Sequence, residues 1–320
     1  MGLTKLLFGR AQCLLLIVVA VMLCFGRGRA VGSQEVSGDG IRIVKLKVVE
    51  RINADRKKKG LQPVLYFEEL SRLADDHCRE MLELNYLSHW NRTGVKPYMR
   101  YSLGGIADHT AENVGRIVDG KFSPSSLDSL EAQMMQIHEN FASEQPSSDQ
   151  HRWTLLDPHH THAGIGLAFD QKRVIMIEVF ASRYVTLTKP LPSHAKISQK
   201  LSIAGSISVK GFEIMGITIF YDPLPSERPL ADLQSLMGYG FPKEELLLRP
   251  ILPPLSRYGD GSTGTLETNG STFRCAVPFF RDRPGVYTVV VWVRGSRSME
   301  PFFMATHACV FVEEDKADKN

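Results

Sequence analysis

The hydrophobic period of this chain changes once, and the change implies two unlike halves. Up to residue 142 apolar residues recur at helical spacing: Ile41, Val44, Val48, Val49 and Ile52, then Phe67, Leu70, Ala74, Cys78 and Met81, then Leu127, Leu130, Met134, Ile137 and Phe141. Each set forms a stripe along one side of a 3.6-residue helix. Helices are therefore expected over 41–59, 67–84 and 126–142, the first stopped by Gly60. Beyond residue 194 the period is two. Leu201/Ile203, Ile217/Ile219/Tyr221, Phe273/Cys275/Val277 and Tyr287/Val289/Val291 alternate with their neighbours, as strands with one buried face do.

Between these regimes, residues 86–120 read as irregular, and 163–169 and 174–180 read as a hairpin around Asp170-Gln171-Lys172. Two prolines in 184–194 suggest a linker, and 223–254 reads as a proline-punctuated excursion with one short helix. The expected organisation is α+β: an N-terminal domain over 31–184, a linker over 185–194 and an antiparallel, Ig-like β-sandwich over 195–320.

The first thirty residues read as an export signal. Lys5 and Arg10 precede a 13-residue apolar run from Cys13 to Phe25, and Gly28-Arg29-Ala30 offers small residues for cleavage. At ~1.5 Å per residue that run covers about two-thirds of a ~30 Å hydrocarbon core, which argues against a spanning anchor. A secreted or envelope-associated protein is expected, with no membrane span after cleavage. Residues 1–30 carry four basic and no acidic side chains, so without them the formal charge falls from +3 to −1. That balance gives nucleic-acid binding no support. Cys78, Cys275 and Cys309 remain; Cys275 and Cys309, both in strand-like runs, are candidates to pair, with Cys78 a buried helix residue.

Eight of the ten histidines lie between His77 and His162, with acids among them. Converging histidines and acids suit a divalent metal or general acid–base work. A zinc-protease HExxH is absent, because His138-Glu139 is followed at the needed spacing by Ala142. No Gly-x-Ser-x-Gly elbow appears, and Cys78 lies on an apolar helix face, so nucleophilic catalysis has no candidate. His77 reads as a core histidine, and His159-His160-Thr161-His162 as a solvated loop.

Motifs in a fixed order then resemble a known family. Asn53-x-x-Arg56 precedes Gly60-Leu61-x-Pro63; Ser88-His89, Gly94-x-x-Pro97-Tyr98-x-Arg100 and Glu112-Asn113 follow. His151-Arg152, Leu155-Leu156-Asp157-Pro158 and Gly164-Ile165-Gly166-Leu167-Ala168 complete the series. Over residues 41–183 the chain resembles the CAP superfamily (cysteine-rich secretory, antigen 5 and pathogenesis-related 1 proteins, or SCP domains), in its bacterial-type branch. The resemblance implies an α-β-α sandwich and a cleft lined by two histidines and two glutamates. These map to His89, Glu112, Glu139 and His151, with Glu144 in reserve for the second glutamate. It also implies that His89 and His151 hold a divalent metal such as zinc, or that the cleft takes a small apolar, lipid or sterol-like ligand. A metal-dependent hydrolase at the same cleft is the first alternative. The second is an envelope protein that docks a partner through its β-sandwich.

Overall fold

A computed structural model of the chain describes residues 38–118, 126–145, 150–236, 238–296 and 301–315. The expected export signal over 1–30 lies outside the described residues. The first lobe opens with α1 (Gly38–Lys58), whose Val44, Val48, Val49 and Ile52 are buried, and Gly60 ends it with a positive φ of 71°. Strand β1 (Leu65–Tyr66) leads into α2 (Glu68–Glu83). The next segment, read as irregular, contains α3 (Pro97–Leu103) and β2 (His109–Val118). Both faces of β2 are covered at its start, so its residues show no alternation for a period-two reading to find. Helix α4 (Leu127–Ala142) is capped by Ser126, whose side chain accepts from the Ser129 amide. After it come α5 (Gln150–Leu156), β3 (His162–Phe169) and β4 (Arg173–Ser182), the last two being the expected hairpin.

These strands form one sheet in the order β1-β3-β4-β2, antiparallel except for β1 against β3. Ala163, Ile165 and Leu167 face α1 and α4, while Ala168, Ile175 and Ile177 face α2. The alternating glycines of β3 explain how closely α2 seats. A Cβ on Gly166 would sit 2.6 Å from the Cβ of Ala74, and one on Gly164 would sit 2.7 Å from the Ser71 amide nitrogen. The arrangement is the expected helix–sheet–helix sandwich.

The second lobe is built from β5 (Val185–Lys189), β6 (His194–Lys196), β7 (Leu201–Ile207) and β8 (Phe212–Asp222), then α6 (Leu230–Ser235). It continues through β9 (Glu245–Leu248), β10 (Glu267–Thr268), β11 (Thr272–Val277), β12 (Gly285–Gly295), β13 (Phe303–Met304) and β14 (Ala308–Glu313). One sheet runs β10-β11-β7-β5 and the other β6-β14-β12-β8-β9, with β13 against β12. Ile203, Phe273 and Cys275 of the first pack on Ile217, Val289 and Val310 of the second, giving a largely antiparallel sandwich.

Two expectations are corrected here. Residues 185–189 are no linker but a strand paired to β7, and the prolines at 190 and 192 only turn the chain toward β6. Cys275 and Cys309 do not pair, and all three described cysteines are free and buried. Strand alternation separates the two, because Cys275 faces the sandwich core whereas Cys309 faces outward, beside Tyr98 of α3.

The lobes are joined by hydrogen bonds from backbone amides. The His109 amide donates to Ala305 O, the His307 amide to Ala107 O, and the Cys309 amide to Ser102 Oγ at 2.8 Å. The 223–254 excursion lies over the first lobe, where Leu233 of α6 is fully buried among residues of α2. No helix among the described residues is long and apolar enough to cross a membrane.

Candidate functional site

Strand β2 carries Glu112 into a fully buried position facing α3. Its carboxylate accepts from Arg100 Nη2 at 2.8 Å, from Tyr101 OH at 2.7 Å and lies 3.1 Å from His89 Nδ1. Burial works to raise its pKa, but the Arg100 guanidinium and the His89 hydrogen bond outweigh that and hold it at about 2. Arg100 also donates to the His89 carbonyl at 3.1 Å, so one side chain fixes both members of the pair. That double duty accounts for the arginine in the Gly94-x-x-Pro97-Tyr98-x-Arg100 motif.

A contribution from the second lobe closes this pair, one that local spacing does not reveal. The ring of Tyr239 lies 4.7 Å from that of His89, and its hydroxyl accepts from the Glu112 amide at 3.0 Å. Next to it, Trp90 Nε1 donates to Gly238 O at 2.8 Å, and the Arg228 guanidinium lies 4.7 Å over the Trp90 ring. The His89 side chain retains 15 % of its surface.

His151, near the start of α5, pairs with Glu144: Nδ1 meets Oε1, and the His151 amide donates to Oε2 at 3.0 Å. Its ring packs on Phe141 at 4.8 Å, and its carbonyl accepts from Asn113 Nδ2 at 3.0 Å. Glu112 and Asn113 are neighbours on β2 and point to opposite faces, so the two pairs approach this edge strand from opposite sides. Glu139 joins neither pair. It is half exposed on α4, 4.0 Å from Arg51, in a shallow depression with Asp55 and Gln136. The reserve residue, Glu144, is thus the one beside His151, because α4 ends at Ala142 and Glu144, two residues beyond it, meets the start of α5.

Of the remaining histidines, His77 and His138 are core residues and His109, His159, His160 and His307 lie at the lobe junction. His77 is fully buried with Nε2 2.9 Å from Ser88 O, as expected of a core histidine. His138 is fully buried between Glu178, 2.7 Å from Nδ1, and Asp55, 2.9 Å from Nε2. Burial would lower its pKa, but these acids outweigh it and raise it. The supposed solvated loop is corrected, because His160 is buried and the His159 ring stacks at 3.7 Å on Phe303 of the second lobe. His109, His160 and His307 gather between the lobes, with the His109 ring 6.0 Å from His160 and 4.6 Å from His307. Burial depresses all three, His109 to about 4 and His160 to about 3, so they are neutral at pH 7. Among the described residues no group of three or more His, Cys, Asp or Glu side chains is placed to hold a metal ion.

Comparison with known proteins is consistent with this anatomy. The profile of the cysteine-rich secretory protein family (CAP) matches residues 49–182. An uncharacterized protein of Bacillus subtilis, YkwD, is 33% identical over 121 residues, which is 38% of this chain and 40% of that protein. The chain therefore spans about two-fifths of this curated relative. Among solved structures, an extracellular SCP-domain protein from Bacillus anthracis is 19% identical, covers 44% of this chain and 41% of its own, and has a TM-score of 0.34. An outer surface protein of Borrelia burgdorferi is 16% identical over 46% of this chain and 94% of its own, with a TM-score of 0.35. The segment holding both histidine–glutamate pairs, residues 49–182, is a CAP domain of the cysteine-rich secretory protein family.

Proposed function

We propose that this is an exported binding protein, not a catalyst, whose CAP domain offers the Nε2 atoms of His89 and His151 to a ligand. The commitment of Glu112 carries the reading. A general base needs a free lone pair and a pKa near the working pH. Glu112 fits neither need, since three neighbours crowd its two oxygens, its side chain has no exposed surface and its pKa is about 2. What it does supply is orientation. A carboxylate at Nδ1 of an imidazole fixes the ring and leaves Nε2 as the acceptor, the arrangement that supports metal-binding histidines. Glu144 does the same for His151.

A borderline ion such as zinc, held by His89 and His151 with water or the ligand completing its shell, is the metal reading that the family resemblance implies. The ion would supply a Lewis-acidic point for a ligand oxygen. With no third protein ligand among the described residues and Glu112 held by Arg100 and Tyr101, the arrangement favours binding over metal-assisted hydrolysis. A small apolar ligand beside this polar point remains part of the proposal, supported by the family resemblance. Docking through the sandwich is less favoured, because the face bearing Cys309 and Phe311 already packs on Tyr98 and Met99 of the first lobe. Titration of the full chain with zinc tests the reading. His89→Ala with His151→Ala should abolish the calorimetric signal, and unchanged binding in that variant refutes the metal site. Lipid extraction from membranes, read by mass spectrometry, tests the apolar ligand separately.

A further inference from the structure

A cavity of about 640 Å³ lies between the lobes, away from both histidine–glutamate pairs. Its volume falls within the ~300–1,000 Å³ range of small-molecule sites, and domain junctions are a usual place for them. Its walls are aromatic, with Phe212, Trp292 and Phe303 from the sandwich, while its polar end is Asp157, His109 and Ser182 from the CAP domain.

The carboxylate at that end is Asp157, held against the His159 ring that also lines the cavity. Asp157 Oδ1 accepts from the His159 amide at 2.8 Å and faces its Nδ1 at 3.0 Å, and Oδ2 has no partner among the described residues. Burial opposes ionisation of Asp157, yet the His159 hydrogen bonds prevail and keep its pKa below the usual carboxylate range. His109, nine-tenths buried with Nδ1 3.3 Å from Ser182 Oγ, is neutral at pH 7. Arg56 sits behind the same turn, its guanidinium donating to the carbonyls of Leu155, Asp157 and His160, and it does not line the cavity. No lysine or arginine lines it among the described residues.

A fixed negative charge at the end of an aromatic-walled cavity repels carboxylate and phosphate head groups and attracts cations, whose charge the aromatic faces also favour. We infer that this cavity binds a small organic cation, an amine on an aromatic or otherwise apolar body, with the amine at Asp157 and the body between Phe212, Trp292 and Phe303. The site is separate from His89 and His151 and does not depend on the metal reading.

Three probes of one carbon skeleton test it on the full chain by calorimetry at pH 7: 2-phenylethylamine, 2-phenylethanol and phenylacetate. The amine should bind at least tenfold more tightly than the alcohol, with phenylacetate weakest. Asp157→Asn should weaken the amine tenfold or more and leave the alcohol within twofold. Phe302→Ala, at the half-exposed rim against Trp292, should weaken amine and alcohol alike. The inference is overturned if the alcohol or phenylacetate matches the amine, if none of the three binds, or if Asp157→Asn leaves amine affinity unchanged. Should Asp157→Asn fail to fold, the ranking of the three probes on the unmodified chain decides alone.

Discussion

Replacing Arg100 with methionine tests whether Glu112 is a sealed buttress or an open site group. The substitution keeps most of the apolar volume and removes the guanidinium that lies 2.8 Å from a carboxylate with no exposed side-chain surface. Breaking a buried pair by deleting one partner leaves an uncompensated charge and costs ~3–5 kcal/mol. Against a domain stability of ~5–15 kcal/mol that is a large loss. The pH dependence fixes the cause. In the native chain Glu112 has a depressed pKa, about 2, so its contribution is present above the unfolded value near 4.5 and is lost as pH falls through about 2. Without Arg100, burial becomes the dominant influence and raises the pKa, so the variant regains stability as pH falls from 7 toward 4 and its deficit narrows. Urea denaturation of Arg100→Met, Glu112→Gln and the double variant at pH 7 and pH 5 measures both effects. The double variant should cost well below the sum of the single ones. A deficit for Arg100→Met under ~1 kcal/mol at pH 7, or one independent of pH, would refute the reasoning and make Glu112 a solvated group again.

The histidine trio at the lobe junction predicts an acid weakness in a different window. His109 and His160 have folded pKa values near 4 and 3, below the unfolded 6.5, so the unfolded chain binds more protons and stability falls as pH drops from about 6.5 to 4. At ~1.4 kcal/mol per pKa unit, His109 alone contributes ~3 kcal/mol to that loss, and His109→Gln should flatten the urea midpoint between pH 7 and 4.5. Tyr239→Ala uncovers His89, so carbethoxylation of His89 read by peptide mass spectrometry should accelerate several-fold while that of His151 stays constant. Gly166→Ala forces a Cβ to 2.6 Å from Ala74 and should cost ~1–3 kcal/mol in urea denaturation, more than the same change at Gly238, where a Cβ meets nothing within 4 Å.

What could be read from the chain beforehand followed local pattern. Helical periodicity located α1, α2 and α4 to within a few residues, because each buries one stripe on a sheet. The motif glycines at 164 and 166 were visible, although only packing shows that they admit α2. Strand β2 escaped notice because a doubly covered strand has no polar side to alternate with. His89, Glu112 and His151 follow from motif order, and the resemblance points to Glu139 because the family places its second glutamate on the third helix. Glu144 is the residue that meets His151, and only the path of the chain after Ala142 determines that. Tyr239, Leu233 and His307 lie far along the chain from the residues they cover, and a long-range contact leaves no trace in local spacing.

The burial of Leu233 and Tyr239 against the first lobe also constrains how the protein is made. When residue 184 has been synthesised, every strand of the CAP sheet exists, but the wall that seals α2 and His89 does not. Another 55 residues must follow before Tyr239 is available, and at ~5–20 residues per second that takes ~3–11 s. Throughout that interval the nascent domain presents an apolar gap that its own downstream sequence will later fill. Premature termination anywhere between residues 185 and 230 should therefore yield an aggregating product, not a soluble CAP domain.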